Sequence, residues 1–169
     1  GNPAAPVAMT RAMALHPQGL YEDLFIANND LIKGKRNVLR VPVSMLERFP
    51  AAYGENAGNR THIAGEPVFE DARFQFTPPV DMAAGPSRFG ELYSRIYLAD
   101  GPRLFLLREN LLTGARDVKV LIQPAGSNNR QLTGLAFDSA SNLFLADYAS
   151  GEVFMIGAAD LAAVEEGRK

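Results

Sequence analysis

The chain has 169 residues, of which 47% are hydrophobic, with a formal net charge of −2 and no cysteine. That length and apolar content suffice for one domain with a sizeable core, and the near-neutral charge provides no basic surface for nucleic acid. The lack of cysteine removes disulfide frameworks, thiolate metal sites and cysteine nucleophiles together.

The opening "GNPAAPVAMTRAM" has neither the charged nor the apolar region of a signal peptide. No apolar run approaches the roughly 18 residues that span a bilayer. The expectation is therefore a soluble chain, or the mature part of an exported one, without membrane or nucleic-acid partners.

A first unit, about residues 10–65, starts with "AMALHPQGLYEDLFIANNDLIKGKRNVLRVPV" from Ala12. Its apolar run "LFIANN" is followed by "KGKR" at Lys33–Arg36, read as a solvated hairpin tip, and then by "NVLRV". The connection Val43–Asn59 is longer than a hairpin needs. Within it, Ser44 is placed to cap one helical turn ended by Pro50, and Phe49 and Tyr53 are placed to cover an edge or meet a partner. "RTHIAG", Arg60–Gly65, reads as a fourth strand, and the "NRT" glycosylation triplet inside this region reads as chance.

A second unit, about 80–126, runs from "VDMAAGP" through "IYLADG" and "RLFLL" to "VKVLIQPAG". The third, about 133–157, is the clearest: "GLAFD", a turn "DSASN", "NLFLAD", a turn "YASG" with Gly151 free for positive φ, then "EVFMI". Aligning Ala14, Ala83 and Ala136 places Ala27, Ala99 and Ala146 at separations of 13, 16 and 10 residues. The last segment is rich in Ala, Leu and Glu and predicts a short C-terminal helix over about 159–166, with Asp160 as its N-cap.

Short strands joined by tight turns predict antiparallel meanders. Strands covered on one face alternate apolar and polar residues, so the unbroken runs "LFIA", "IYLA" and "LFLA" imply cover on both faces. Four-stranded meanders stacked face to face are the blades of a β-propeller. The fold expected is thus all-β: a partial or half propeller with a short C-terminal helix. Closed propellers have about four to eight blades. Three units leave both flanks of the array apolar and unpaired, so the missing blades are expected from more of the same chain or from another subunit, a homodimer among the options.

The third unit, Gly134–Asp138, Asn142–Asp147 and Glu152–Ile156, resembles blades of the NHL-type six-bladed propellers. The link "THIAGEPVFEDARFQFTPPVDMA" is similar to that family's blade connection, while Ser141 stands at its usual turn glycine. The repeats also resemble the gluconolactonase and regucalcin family, which implies a central ring of carboxylates around a divalent cation. None of that family's metal residues maps here one by one, so no metal ligand and no cofactor is assigned. "DMAAGP" and "LADG…RLFLL" are similar to phrases in quinone-dependent sugar dehydrogenases, whose catalytic histidine has no counterpart other than His16.

Chemistry-bearing motifs are sparse. His16 aligns with Asp138 and reads as a turn-stabilising group, and His62 reads as an exposed strand residue; their spacing is not that of a zinc site. There is no GxSxG elbow, P-loop or GxGxxG, and Ser139 and Ser141 read as turn formers. The recurrent position after each second strand, Asn28, Asp100 and Asp147, followed by Asn29, Gly101 and Tyr148, carries two readings. The acceptor side chain holds turn N–H groups, or Asn28, Asn29, Asp100, Asp147 and Tyr148 line a mouth that binds a ligand. The function expected is a non-enzymatic scaffold for protein or small-ligand binding. The alternative is an enzyme, either a metal-dependent lactonase or a quinone-dependent sugar dehydrogenase.

Overall fold

The computed structural model describes residues 5–6, 10–18, 21–30, 34–42, 64–86, 92–123 and 130–168. Among them are twelve strands: β1 (Ala5–Pro6), β2 (Thr10–Gln18), β3 (Tyr21–Asp30), β4 (Lys35–Pro42), β5 (Ala64–Glu70), β6 (Val80–Ala84), β7 (Tyr93–Asp100), β8 (Arg103–Asn110), β9 (Arg116–Ile122), β10 (Leu132–Phe137), β11 (Leu143–Asp147) and β12 (Glu152–Ile156). One helix, α1 (Ala158–Glu165), follows. Expectations that fall on Ser44, Phe49, Tyr53 and His62 lie outside the described residues.

The strands form three antiparallel sheets, ordered β1-β5-β4-β3-β2, β6-β7-β8-β9 and β10-β11-β12. In each, the turn between second and third strands contains a glycine in the left-handed region: Gly34 at φ 63, Gly101 at φ 61 and Gly151 at φ 72. A Cβ there would cost about 1–2 kcal/mol.

Register makes the three sheets equivalent. Ala27, Ala99 and Ala146 pair with Ala12, Asp81 and Gly134 on one side and with Val38, Leu104 and Val153 on the other. Directly paired residues share a face. Each sheet therefore has a front that carries an aromatic residue and, two places on, an alanine: Phe25 and Ala27, Tyr97 and Ala99, Phe144 and Ala146.

The front of the first sheet, with Ala12, Ala14, Phe25, Ala27 and Val38, packs on the back of the second, with Met82, Ile96, Leu98, Phe105 and Leu107. The front of the second sheet, with Tyr97, Ala99, Leu104 and Leu106, packs on the back of the third, with Leu132, Leu143 and Leu145. Each large side chain so buried contributes about 1.5–3 kcal/mol. The segment between β5 and β6 adds Phe74 and Phe76 to the first of these cores, with Phe74 edge-on to Phe105 at 5.2 Å.

Several expectations need correction. The fourth strand of the first sheet is Ala64–Glu70, within the stretch read as a bridge, because Val68 and Phe69 bury against the core. The ladder shifts register between Val38 and Leu39, which seats Pro67 opposite Leu39 without needing its missing N–H. β9 ends at Ile122, before the Ala-Gly of its expected span, and β1 adds an unexpected fifth strand to the first sheet. His16 lies within β2 opposite Asp23 and not in a turn, since the β2–β3 ladder continues to Gln18 and Tyr21. The helix starts one residue early with Gly157 as N-cap, and its first N–H, from Ala158, bonds Oδ1 of Asn142 at 3.0 Å; Asp160 sits in the first turn.

The flanks also differ from expectation. "IYLA" and "LFIA" are buried on both faces, but the outer flank of the first sheet is not open throughout, since Ile26, Leu39 and Val41 are all buried. In "LFLA" only Leu143 and Leu145 are buried, while Phe144 and Ala146 on the front are half-covered.

Candidate functional site: the edge where second strands end

Asp100 closes β7, and its Oδ2 accepts the N–H of Gln75 at 2.6 Å. Asp147 closes β11, and its Oδ1 accepts the N–H of Gln131 at 2.9 Å and of Ala149 at 3.0 Å. Gln75 lies in the connection that leads to β6 and Gln131 directly precedes β10, so each carboxylate ties down the segment that leads into the first strand of its own sheet. In the first sheet, Asn28 Nδ2 donates to Asn37 Oδ1 at 3.1 Å, across the neighbouring strand.

The two carboxylates sit in different fields. Burial pushes Asp100 above its ordinary value, against the pull of the Gln75 and Phe76 N–H groups and the charges of Arg103 and Arg36. Asp147 is held below its ordinary value by the Gln131 N–H first, then by Ala149, Ser150 and Arg130. Asp100 Oδ1 is buried and accepts no hydrogen bond among the described residues. The same segment holds Phe76 at φ 47, a left-handed conformation fixed by the Asp100 bonds and by ring burial.

Of the five residues predicted to line a mouth, Asn28, Asn29, Asp100 and Asp147 are buried, whereas Tyr148 is 75% exposed. Asn28 and Asn29 belong to the first sheet, Asp100 to the second and Asp147 to the third. Asp100 and Asp147 each bind their own connection.

The same edge carries a cleft of about 350 Å³ lined by Gly34, Lys35, Arg36, Glu70, Asp71, Ala72 and Phe74. Lys35 and Arg36 come from the hairpin tip read as merely solvated, and Arg36 Nη1 reaches the Phe74 carbonyl at 3.5 Å. In the same lining Asp71 is clamped by Arg73, whose Nε and Nη2 donate to it at 2.8 and 2.5 Å, and this pair holds its carboxyl below the usual range. The lining thus combines two cations with two carboxylates, of which Asp71 is held by Arg73, a polar surface suited to a ligand with both signs of charge. A Lys-Gly-Lys-Arg run in sequence gives no hint that Glu70 and Asp71 will share a cleft with it.

Sequence reasoning also passed over Asp81. It sits on the front of β6, and its Oδ2 accepts the N–H of Leu135 at 2.7 Å, stitching the second sheet to the first strand of the third. Among the described residues no group of three or more His, Asp or Glu is placed to hold a metal ion, and no helix is long and apolar enough to cross a membrane. No protein-family model matches the sequence. No curated protein matches it either.

Proposed function

We propose that the chain is an arc of β-propeller blades, working as a non-enzymatic scaffold that binds a protein or small ligand. The arc is incomplete alone and is completed by more chain or by another subunit. The observation that supports this most directly is the front-to-back stacking of three sheets in one register, with first strands β2, β6 and β10 as successive neighbours. A two-sheet sandwich would bury each sheet on one side only; here the middle sheet is buried on both.

The binding edge in this reading is the one that carries the Lys35–Arg36 cleft and the exposed Tyr148, because hairpin turns vary without disturbing the stacked faces below them. The repeated Asp or Asn beneath these turns keeps the edge rigid, which lowers the entropy cost of seating a ligand.

Small-angle scattering combined with titration of calcium, magnesium and zinc in a lactone-opening assay tests the reading. A curved three-layer profile and no metal-dependent turnover are expected. Lactone opening that chelation abolishes would replace the scaffold with a metal-dependent hydrolase, and a flat two-layer profile would remove the propeller.

A further inference from the structure

The third sheet ends in a front face like those that the first and second sheets bury. In all three, the first strand puts small or short residues on the front: Ala12 and Ala14, Asp81 and Ala83, Gly134 and Ala136. The second strand adds the aromatic-to-alanine pair, and the third adds Val38, Leu104 and Leu106, or Val153 and Met155. Phe25, Tyr97, Val38 and Leu104 are fully buried by the sheet that follows. Their counterparts are not: Val153 is 68% and Met155 61% exposed, and Ala136 is exposed too.

What settles on such a front is also defined twice. The back of β6 brings Met82 opposite Leu98, and the back of β10 brings Leu135 opposite Leu145. Neighbouring sheets approach one another mainly through these first strands, where the small front residues leave room for a larger side chain. The register equivalent on β2 is Met13, opposite Ile26, followed by Leu15 opposite Leu24. Met13 is 58% and Leu15 50% exposed, although the rest of that back face, Ile26, Leu39 and Val41, is buried. The chain therefore carries at one end a small-residue front on which Ala136, Val153 and Met155 are exposed and Phe144 and Ala146 half-covered, and at the other the first-strand back that fits it.

We infer that the third-sheet front docks a second copy of this chain head to tail, through Met13 and Leu15 of the partner's β2. Such a contact reproduces the first-strand part of an interface the chain already makes twice internally, and it is heterologous, so it closes into a ring or propagates. This rests on the blade-arc reading and goes further by naming the faces and the occupant.

The test is mass by light scattering over a concentration series, for the wild type and for Met155→Arg, Val153→Asp and Met13→Asp. All three sites are exposed, and thermal melts confirm that each variant is folded. We expect the wild type to self-associate, with each substitution reducing the mass to that of the monomer. Mixing M155R with M13D should restore one contact, since M13D keeps an intact front and M155R an intact back. A wild type that stays monomeric with a curved scattering profile overturns this inference while leaving the scaffold standing. Loss of association in M155R but not M13D overturns it in favour of front-to-front pairing, and a flat profile removes both readings.

Discussion

Arg40 of the first sheet and Glu109 of the second face each other across the sheet–sheet interface at 2.9 Å. Arg40 also bonds Glu66 at 2.8 Å, while Arg116 bonds Glu66 and Glu109, each at 3.0 Å, closing a ring of four alternating charges. Glu109 is nearly inaccessible, whereas the other three side chains reach water. Replacing Glu109 by Gln leaves two guanidinium groups with one carboxylate between them. We expect a loss of about 1–2 kcal/mol, discounted for the solvent exposure of both arginines, read from urea unfolding.

Acid should weaken the same ring. Desolvation raises Glu66, but the hydrogen bonds and charges of Arg40 and Arg116 outweigh it and leave its carboxyl below the ordinary value of 4.5. A depressed carboxyl contributes stability that is present above its unfolded pKa and lost as pH falls through the folded one. Melting temperature should therefore drop as pH falls below about 4.5, and Glu66→Gln should flatten that slope. An unchanged slope in the variant would mean the ring carries no acid sensitivity.

Asp100 and Asp147 should respond to pH in opposite directions. Asp100 is raised above 3.8, so its contribution is present at low pH and lost as pH rises through its folded value. Asp100→Asn keeps an acceptor for Gln75 and should gain on the wild type as pH rises from the ordinary value of 3.8 to the raised folded one, then hold that gain. Asp147 is lowered below 3.8, so Asp147→Asn should match the wild type in strong acid and lose to it as pH rises. Paired melts of the two variants across the acid range decide this.

Ser141 holds φ 66 in the turn before β11, where Asp138 accepts the N–H groups of Ala140 and Asn142. Ser141→Gly removes the left-handed penalty and loses some unfolded-state entropy advantage, so a net gain of up to about 1 kcal/mol is expected by denaturant titration. A loss would show that the serine hydroxyl, and not backbone geometry, sets the turn.

Glu165 anchors the helix to the second sheet by accepting from Tyr97 Oη and from Arg95 Nη1, the latter at 3.3 Å, with all three residues buried. Lys119 Nζ holds the Val164 and Glu165 carbonyls at 3.1 and 2.6 Å. Glu165→Ala removes the buried acceptor of Tyr97 and Arg95, while Arg95 Nη2 keeps the Pro86 carbonyl at 2.9 Å, so a loss of about 1–3 kcal/mol is expected. Hydrogen exchange over 158–165 should rise before the sheets open.

The strand runs, the glycine turns and the three-fold register of Ala27, Ala99 and Ala146 were legible in the sequence because each depends on backbone geometry and residues a few places away. The turn-holding role of the acceptor after the second strand was legible only for Asp147, which takes the Ala149 N–H; the bonds of Asp100 to Gln75 and of Asp147 to Gln131 reach 25 and 16 residues back along the chain. Tertiary contact decided the rest. It set which fronts are buried and which is left partly open, and that Pro67 sits inside a strand. It also pushed two look-alike aspartates in opposite directions and drew Glu66, Glu109 and two arginines into one ring. Burial and electrostatic fields sum over neighbours distant in the chain, and no local pattern records who those neighbours are.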